Sequence, residues 1–143
     1  VGVRADVRAA LDARLLTATG IPDADHRASE NAGYQPIPGD PWVRAQLGFG
    51  PEELFTVPAA GGWRVHTGLY FVDLFYPLDA GPGAADTLAE AVLARFAPGQ
   101  SLTGGSTTFR VTRSQRRGGF RETDWYQVPL EVAWQVEAIN TVT

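Results

Sequence analysis

The sequence predicts an α+β domain: a mostly antiparallel mixed sheet of four or five strands with two helices packed on it. Three observations carry this. Residues 3–16 and 84–96 repeat apolar residues at helical spacing, and residues 63–76 and 126–137 run as long strands. Clusters of Gly and Pro separate these segments. The order is helix, strand, long strand, helix, strand, strand. At 143 residues the chain has one domain's length, so residues 1–143 are read as a single domain.

The first helix rests on Val3, Val7, Ala10, Leu11 and Leu15, with Arg4, Arg8, Asp12 and Arg14 filling much of the rest, and Gly20 and Pro22 stop it. Residues 20–41 hold Pro22, Gly33, Pro36, Pro38, Gly39 and Pro41 and read mainly as a long irregular arm. Val43, Ala45, Leu47 and Phe49 then alternate with Arg44, Gln46 and Gly48, the pattern of a strand with one buried face. Residues 50–62 read as a mobile hairpin connection. In the long strand after it, Leu69, Phe71, Asp73 and Phe75 face one way and Tyr70, Val72, Leu74 and Tyr76 the other. Apolar residues on both sides predict a central strand covered on both faces.

Gly81-Pro82 precedes the second helix, whose expected buried face is Ala84/Ala85, Leu88, Ala91/Val92 and Arg95/Phe96, and Pro98-Gly99 ends it. Residues 102–106 read as a plain turn, 107–113 as a short strand and 114–122 as a Gly/Arg loop. In the last strand Tyr126, Val128, Leu130, Val132, Trp134 and Val136 share a face. Pro129 within it cannot donate to a ladder and predicts an edge strand or a bulge.

Composition excludes several classes. With no cysteine there is no disulfide, no Cys-zinc site and no thiol nucleophile. The 16 acids against 12 bases, all arginine, give −4, a poor balance for a dedicated nucleic-acid binder. No apolar run approaches the roughly 20 residues of a membrane helix. Val1 to Asp6 lacks the apolar core of a secretion signal, so a soluble cytoplasmic protein is the expectation.

Residues with catalytic potential are few. His26 and His66 lie forty residues apart without metal-ligand spacing, and a surface role is expected for both. Gly81-Pro82-Gly83 lacks the pattern of a nucleotide loop. Asp73 sits among apolar residues of the long strand, and three readings stand beside each other. It pairs with an arginine such as Arg110 or Arg44, its end of the face is wet, or it is a catalytic acid, the last weakened by the lack of a matching second carboxylate. No catalytic, cofactor-binding or metal residue is assigned.

Arg113, Arg116, Arg117 and Arg121 fall in nine residues with no acid among them. They read either as a solvated hairpin tip or as an arm that contacts a neighbouring acidic surface, ahead of DNA phosphates. Asp23, Asp25, Glu30, Glu52 and Glu53 supply the opposite sign. Two unlike surfaces on one small domain suit a head-to-tail ring.

The segment His66-Thr67-Gly68-Leu69-Tyr70-Phe71-Val72-Asp73-Leu74-Phe75-Tyr76-Pro77 resembles the central block of phage tail terminator-like proteins of the lambda gpU type. The resemblance continues through Gly83-Ala84-Ala85-Asp86-Thr87-Leu88-Ala89, with Phe96 closing the helix, and ends in Asp124-Trp125-Tyr126-Gln127-Val128-Pro129-Leu130. Upstream, Glu30-Asn31 and Gly39-Asp40-Pro41-Trp42-Val43-Arg44 fit the family's first loop and strand. The match runs over residues 3–138. Residues 24–29 depart from it, being less apolar than the family's first edge strand.

The resemblance implies a gpU-like fold and a structural virion protein, not an enzyme and without cofactors. Such proteins form a hexameric ring that caps the head-proximal end of a long tail tube, ends tube polymerisation and joins the tail to the head or neck. The implied partners are copies of itself, the tail tube protein, a head-completion or neck protein, and DNA passing through the lumen without sequence-specific binding. No membrane is implied. The implied location is the tail or neck of a phage or phage-like particle, assembled in the bacterial cytoplasm. The alternatives are a head–tail connector or other neck or tail-completion protein, and, from another class, a small ligand-binding or enzymatic domain with Asp73 and His66 near a pocket.

Overall fold

The computed structural model describes residues 2–30, 33–54 and 63–139, and of these the backbone alone at 51–54, 63–65 and 137–139. Helix α1 is Val3–Leu15, and α2 is Gly83–Arg95. The strands are β1 (Arg27–Ala28), β2 (Trp42–Leu54), β3 (Trp63–Pro77), β4 (Ser101–Gly104), β5 (Thr107–Arg116), β6 (Phe120–Arg121) and β7 (Trp125–Ile139). They form one seven-stranded sheet in the order β1-β2-β3-β7-β5-β4, with β6 pairing β7 beside the end of β5. Only β1 with β2 is parallel.

The α+β class and the two helices agree with the sequence reading, but the strand count of four or five does not. β4 lies in what reads as a plain turn, and β6 in the Gly/Arg loop, because strands of two to four residues are too short to show alternation. β2 continues past Phe49 to Leu54, since a register shift between Phe49 and Glu52 absorbs Gly50-Pro51 without ending the ladder. Of the expected connection 50–62, residues 55–62 lie outside the described residues.

Alternation divides the sheet into two unlike faces. Tyr70, Val72 and Leu74 of β3 sit opposite Val132, Leu130 and Val128 of β7, and opposite Leu47, Ala45 and Val43 of β2. Both helices cover this face. Val7, Leu11 and Leu15 of α1, one turn apart, and Ala85, Leu88, Ala89 and Val92 of α2 complete the core. The C-terminal ends of the helices are tied together: Arg14 Nε donates to the Arg95 carbonyl at 2.9 Å, and Arg95 Nε donates to Thr17 Oγ1 at 2.8 Å. A cation on the last carbonyls of a helix suits its dipole.

The β4–β5 turn is a seat for α1. A Cβ at Gly105, which has φ +56°, stands 2.5 Å from Asp6 Oδ1, and one at Gly104 meets the Asp6 carbonyl. Buried Asp6 accepts a hydrogen bond from Thr107 Oγ1 at 2.8 Å. Two glycines therefore let the helix approach the hairpin backbone closely.

Pro129 lies in a central strand, not at an edge. The Arg117 N–H donates to the Pro129 carbonyl at 2.9 Å, so the Pro129 nitrogen faces the same side, where β5 has ended and β6 has not begun. Its missing donor falls in that gap. At the other edge, Glu30 Oε1 accepts from the Leu47 N–H at 2.6 Å while its second oxygen pairs with Arg8 at 3.1 Å. This carboxylate satisfies a ladder donor of β2 beyond the short reach of β1.

Candidate functional site

Among the described residues the second sheet face carries no helix, so β3 is central but not covered alike on both sides. Cross-strand rows run from Trp42, Phe75 and Gln127 through Arg44, Asp73 and Pro129, then Gln46, Phe71 and Glu131, to Gly48, Leu69 and Ala133. The first row is buried beneath the arm between α1 and β2. Trp42 stacks on Phe75 at 3.9 Å, meets Trp125 edge-on at 6.0 Å and lies 5.2 Å from the Tyr34 ring. The last row stays half-buried, and Gly48, Leu69 and Ala133, with Phe71, floor an open depression of about 410 Å³.

Between these ends lie two buried carboxylates held by arginines from neighbouring strands. Asp73 Oδ2 accepts from Arg44 Nη2 at 2.9 Å, and Arg44 also lies 5.2 Å over the Phe75 ring. Glu131 accepts from Gln115 Nε2 at 2.6 Å and from Arg117 Nη2 at 3.2 Å, with Arg113 Nη2 at 3.7 Å. Burial raises the Glu131 pKa, but the bonds from Gln115 and Arg117 and the charges of Arg117 and Arg113 outweigh it, leaving it below the usual carboxylate range. One carboxylate against two guanidinium groups leaves positive charge on the surface. Arg113 and Arg117 are 59% and 60% exposed while their partner is 7% exposed.

The four clustered arginines do not share one face of the sheet. The register shift between Val111 and Arg113 inverts the alternation of β5. Thr107, Phe109 and Val111 point toward the helices, but after the shift Arg113, Gln115 and Arg117 join the helix-free face. Arg116 turns the other way and pairs with Asp86 of α2, and Arg121 pairs with Asp79 at 2.9 Å. Glu52 and Glu53 stand opposite His66 and Val65 in the β2–β3 ladder, and their side chains lie outside the described residues.

His66 is buried on the helix side, opposite Val136, so a surface role does not hold for it. It stands seven positions from Asp73, an odd offset that places the two on opposite faces of β3 and keeps them out of any common pocket. His26 is bracketed by Asp23 at Nδ1 (2.6 Å) and Asp40 at Nε2 (3.0 Å). Carboxylates on opposite ring nitrogens share no centre, and among the described residues no metal-binding group of three donors occurs. A cleft of about 330 Å³ between α1 and β2 contains the Tyr70 hydroxyl, which donates to Asp12 at 2.6 Å, and the Arg8–Glu30 pair. Its Tyr70, Asp12, Arg8 and Glu30 side chains are engaged in these pairs. Among the described residues no helix is long and apolar enough to cross a membrane.

Sequence reasoning singled out Asp73 but not Glu131. Glu131 stands in the outward phase of an alternating strand, where a carboxylate looks ordinary. Its signal is the register that brings Gln115 and the arginines across from it.

A family model described as phage tail terminator protein matches residues 6–134. The chain belongs to the phage tail terminator family. Its members have a structural, non-enzymatic role in the tail. No curated protein matches the chain. One solved structure superposes with a TM-score of 0.73 at 22% identity, over 94% of this chain and 96% of its own. At that identity the likeness shows the fold alone. The sheet thus has one helix-packed face and one face of arginine-held carboxylates beside an apolar depression.

Proposed function

We propose that this chain forms a ring, expected to be a hexamer, that caps the head-proximal end of a long phage tail tube. It ends tube polymerisation, and its other surface joins the tail to the head or neck. Family membership over residues 6–134 is the observation that carries this reading. Its partners are further copies of itself, the tail tube protein and a head-completion or neck protein. DNA crosses the lumen without sequence-specific contact, and assembly takes place in the host cytoplasm. The resemblance to the gpU type extends the reading to a gpU-like subunit.

The lateral contacts follow from charge. Residues 107–121 carry five arginines and no acid, on the β5–β6 side of the sheet. The arm beside β1 and β2 carries Asp23, Asp25, Glu30 and Asp40. Unlike surfaces at opposite edges of one sheet suit a head-to-tail ring, in which each copy offers one edge to each neighbour. Arg113, Arg116, Arg117 and Arg121 supply one side of that contact and Glu52 and Glu53 add to the other. Asp73 remains a structural charge.

Electron microscopy of the protein mixed with its cognate tube protein tests the reading. Tubes ending in a ring of added density on one end support it. Tubes that grow without limit and without end density overturn it.

A further inference from the structure

The arm between α1 and β2 is tied down early by β1 and by Glu30, and its later part is joined back to its start by an imidazole. His26 ends a short 3₁₀ turn, Ala24–His26. Its Nδ1 contact to Asp23 is local, three residues back. Its Nε2 contact to Asp40 spans fourteen residues and joins the start of the arm to its end. Within the span, the Tyr34 hydroxyl donates to the Asp25 carbonyl at 3.0 Å, and the Tyr34 ring packs on Trp42. Trp42 is 8% exposed beneath it, and its buried Nε1 has no acceptor among the described residues. Over Trp42 itself the cover is the Tyr34 ring, and the side-chain bond that returns this stretch to the start of the arm is His26–Asp40.

An imidazolium has two N–H donors and meets both carboxylates. The neutral ring has one, and its other nitrogen then turns a lone pair toward a carboxylate. The local, shorter Asp23 bond keeps the remaining proton, so the Asp40 contact is the one given up. We propose that His26 is a proton-operated clasp that holds the arm over Trp42 while charged and releases Tyr34 from Trp42 when neutral.

The charged groups around it are Asp23 and Asp40 directly, Asp25 near Tyr34, and Arg27, which acts on Asp23. Hydrogen bonds from Asp23 and Asp40 raise the His26 pKa above its ordinary 6.5 despite partial desolvation. A raised histidine pKa means that the clasp is complete below the ordinary value and is lost as pH climbs through the folded one. Tyr34 is itself pushed up by burial and by the three aspartates, so it stays neutral through that window.

The test is acrylamide quenching of tryptophan fluorescence between pH 5.5 and 9. Wild type is expected to show a rise in quenching whose midpoint lies above 6.5, matched by the His26 ring titration in NMR. Trp42→Phe should lose that rise. His26→Gln, uncharged at every pH and with both its donors on one nitrogen, should show the high-pH level of quenching throughout at unchanged far-UV circular dichroism. Flat quenching in wild type overturns the proposal, as does a pH-dependent rise that survives in either variant. An unfolded His26→Gln variant leaves Trp42→Phe and the NMR titration to decide.

Discussion

Gly68 lies beneath the indole of Trp134. The two are partners in the β3–β7 register, and a Cβ at position 68 stands 2.5 Å from Trp134 Cζ2 and closer still to the Gly48 carbonyl. Trp134 is in turn flanked edge-on by Phe49 at 5.9 Å and by Phe109 at 6.2 Å. The glycine gives the largest core side chain its place on the sheet. Gly68→Ala is expected to destabilise the fold by about 1–3 kcal/mol through overpacking. Guanidinium unfolding measures this, and a midpoint equal to wild type contradicts the packing described.

Tyr70 joins the same core to α1 through its hydroxyl on Asp12. Burial first, then the Asp12 charge and hydrogen bond, drives its pKa far above the ordinary 10. Tyr70→Phe is expected to cost about 1–2 kcal/mol, the worth of a hydrogen bond to a charged group less the relief of the freed, partly exposed acid. In an ultraviolet titration to pH 11, Tyr70 should remain un-ionised in the folded protein.

Glu131 links β7 to β5 across the helix-free face. Its pKa is depressed, so its contribution to stability is present above the ordinary 4.5 and is lost as pH falls through the folded value. Glu131→Gln is expected to lower stability at pH 7 by about 1–2 kcal/mol, a modest figure because both arginines are mostly in water. The difference between variant and wild type in urea should shrink as pH falls below 4.5. A constant difference from pH 7 to pH 3 contradicts the assignment.

Arg113 and Arg121 are expected to serve subunit contact rather than the fold. Glu131 keeps Gln115 and Arg117 when Arg113 is removed, and Arg121 and Asp79 are both largely exposed. The double variant Arg113→Gln, Arg121→Gln should unfold within about 1 kcal/mol of wild type. It should nonetheless self-associate more weakly at low salt, with the difference vanishing at high salt, by analytical ultracentrifugation.

The core was readable because periodicity reports burial directly: Val7, Leu11 and Leu15, and Val128 to Val136, carry the pattern that the structure buries. What escaped depends on pairings between distant segments. The register shift at Val111/Arg113 splits one arginine run between two faces, and nothing in the run itself signals it. Pro129 argued for an edge because the gap opposite it is made by β5 and β6, not by β7. His66 carries no motif that sets it apart from a surface histidine, yet strand pairing carries it to the helix side. His26 and Asp40 meet because the arm folds back over Trp42. The arm itself was readable as irregular from its prolines and glycines.

Tail length in particles assembled without this chain tests the central claim most directly. If the protein acts as a physical stop and joint, electron micrographs should show overlong tubes unattached to heads, with normal length and joining restored when the chain is supplied in trans. Tails of normal length joined to heads in its absence would contradict the account.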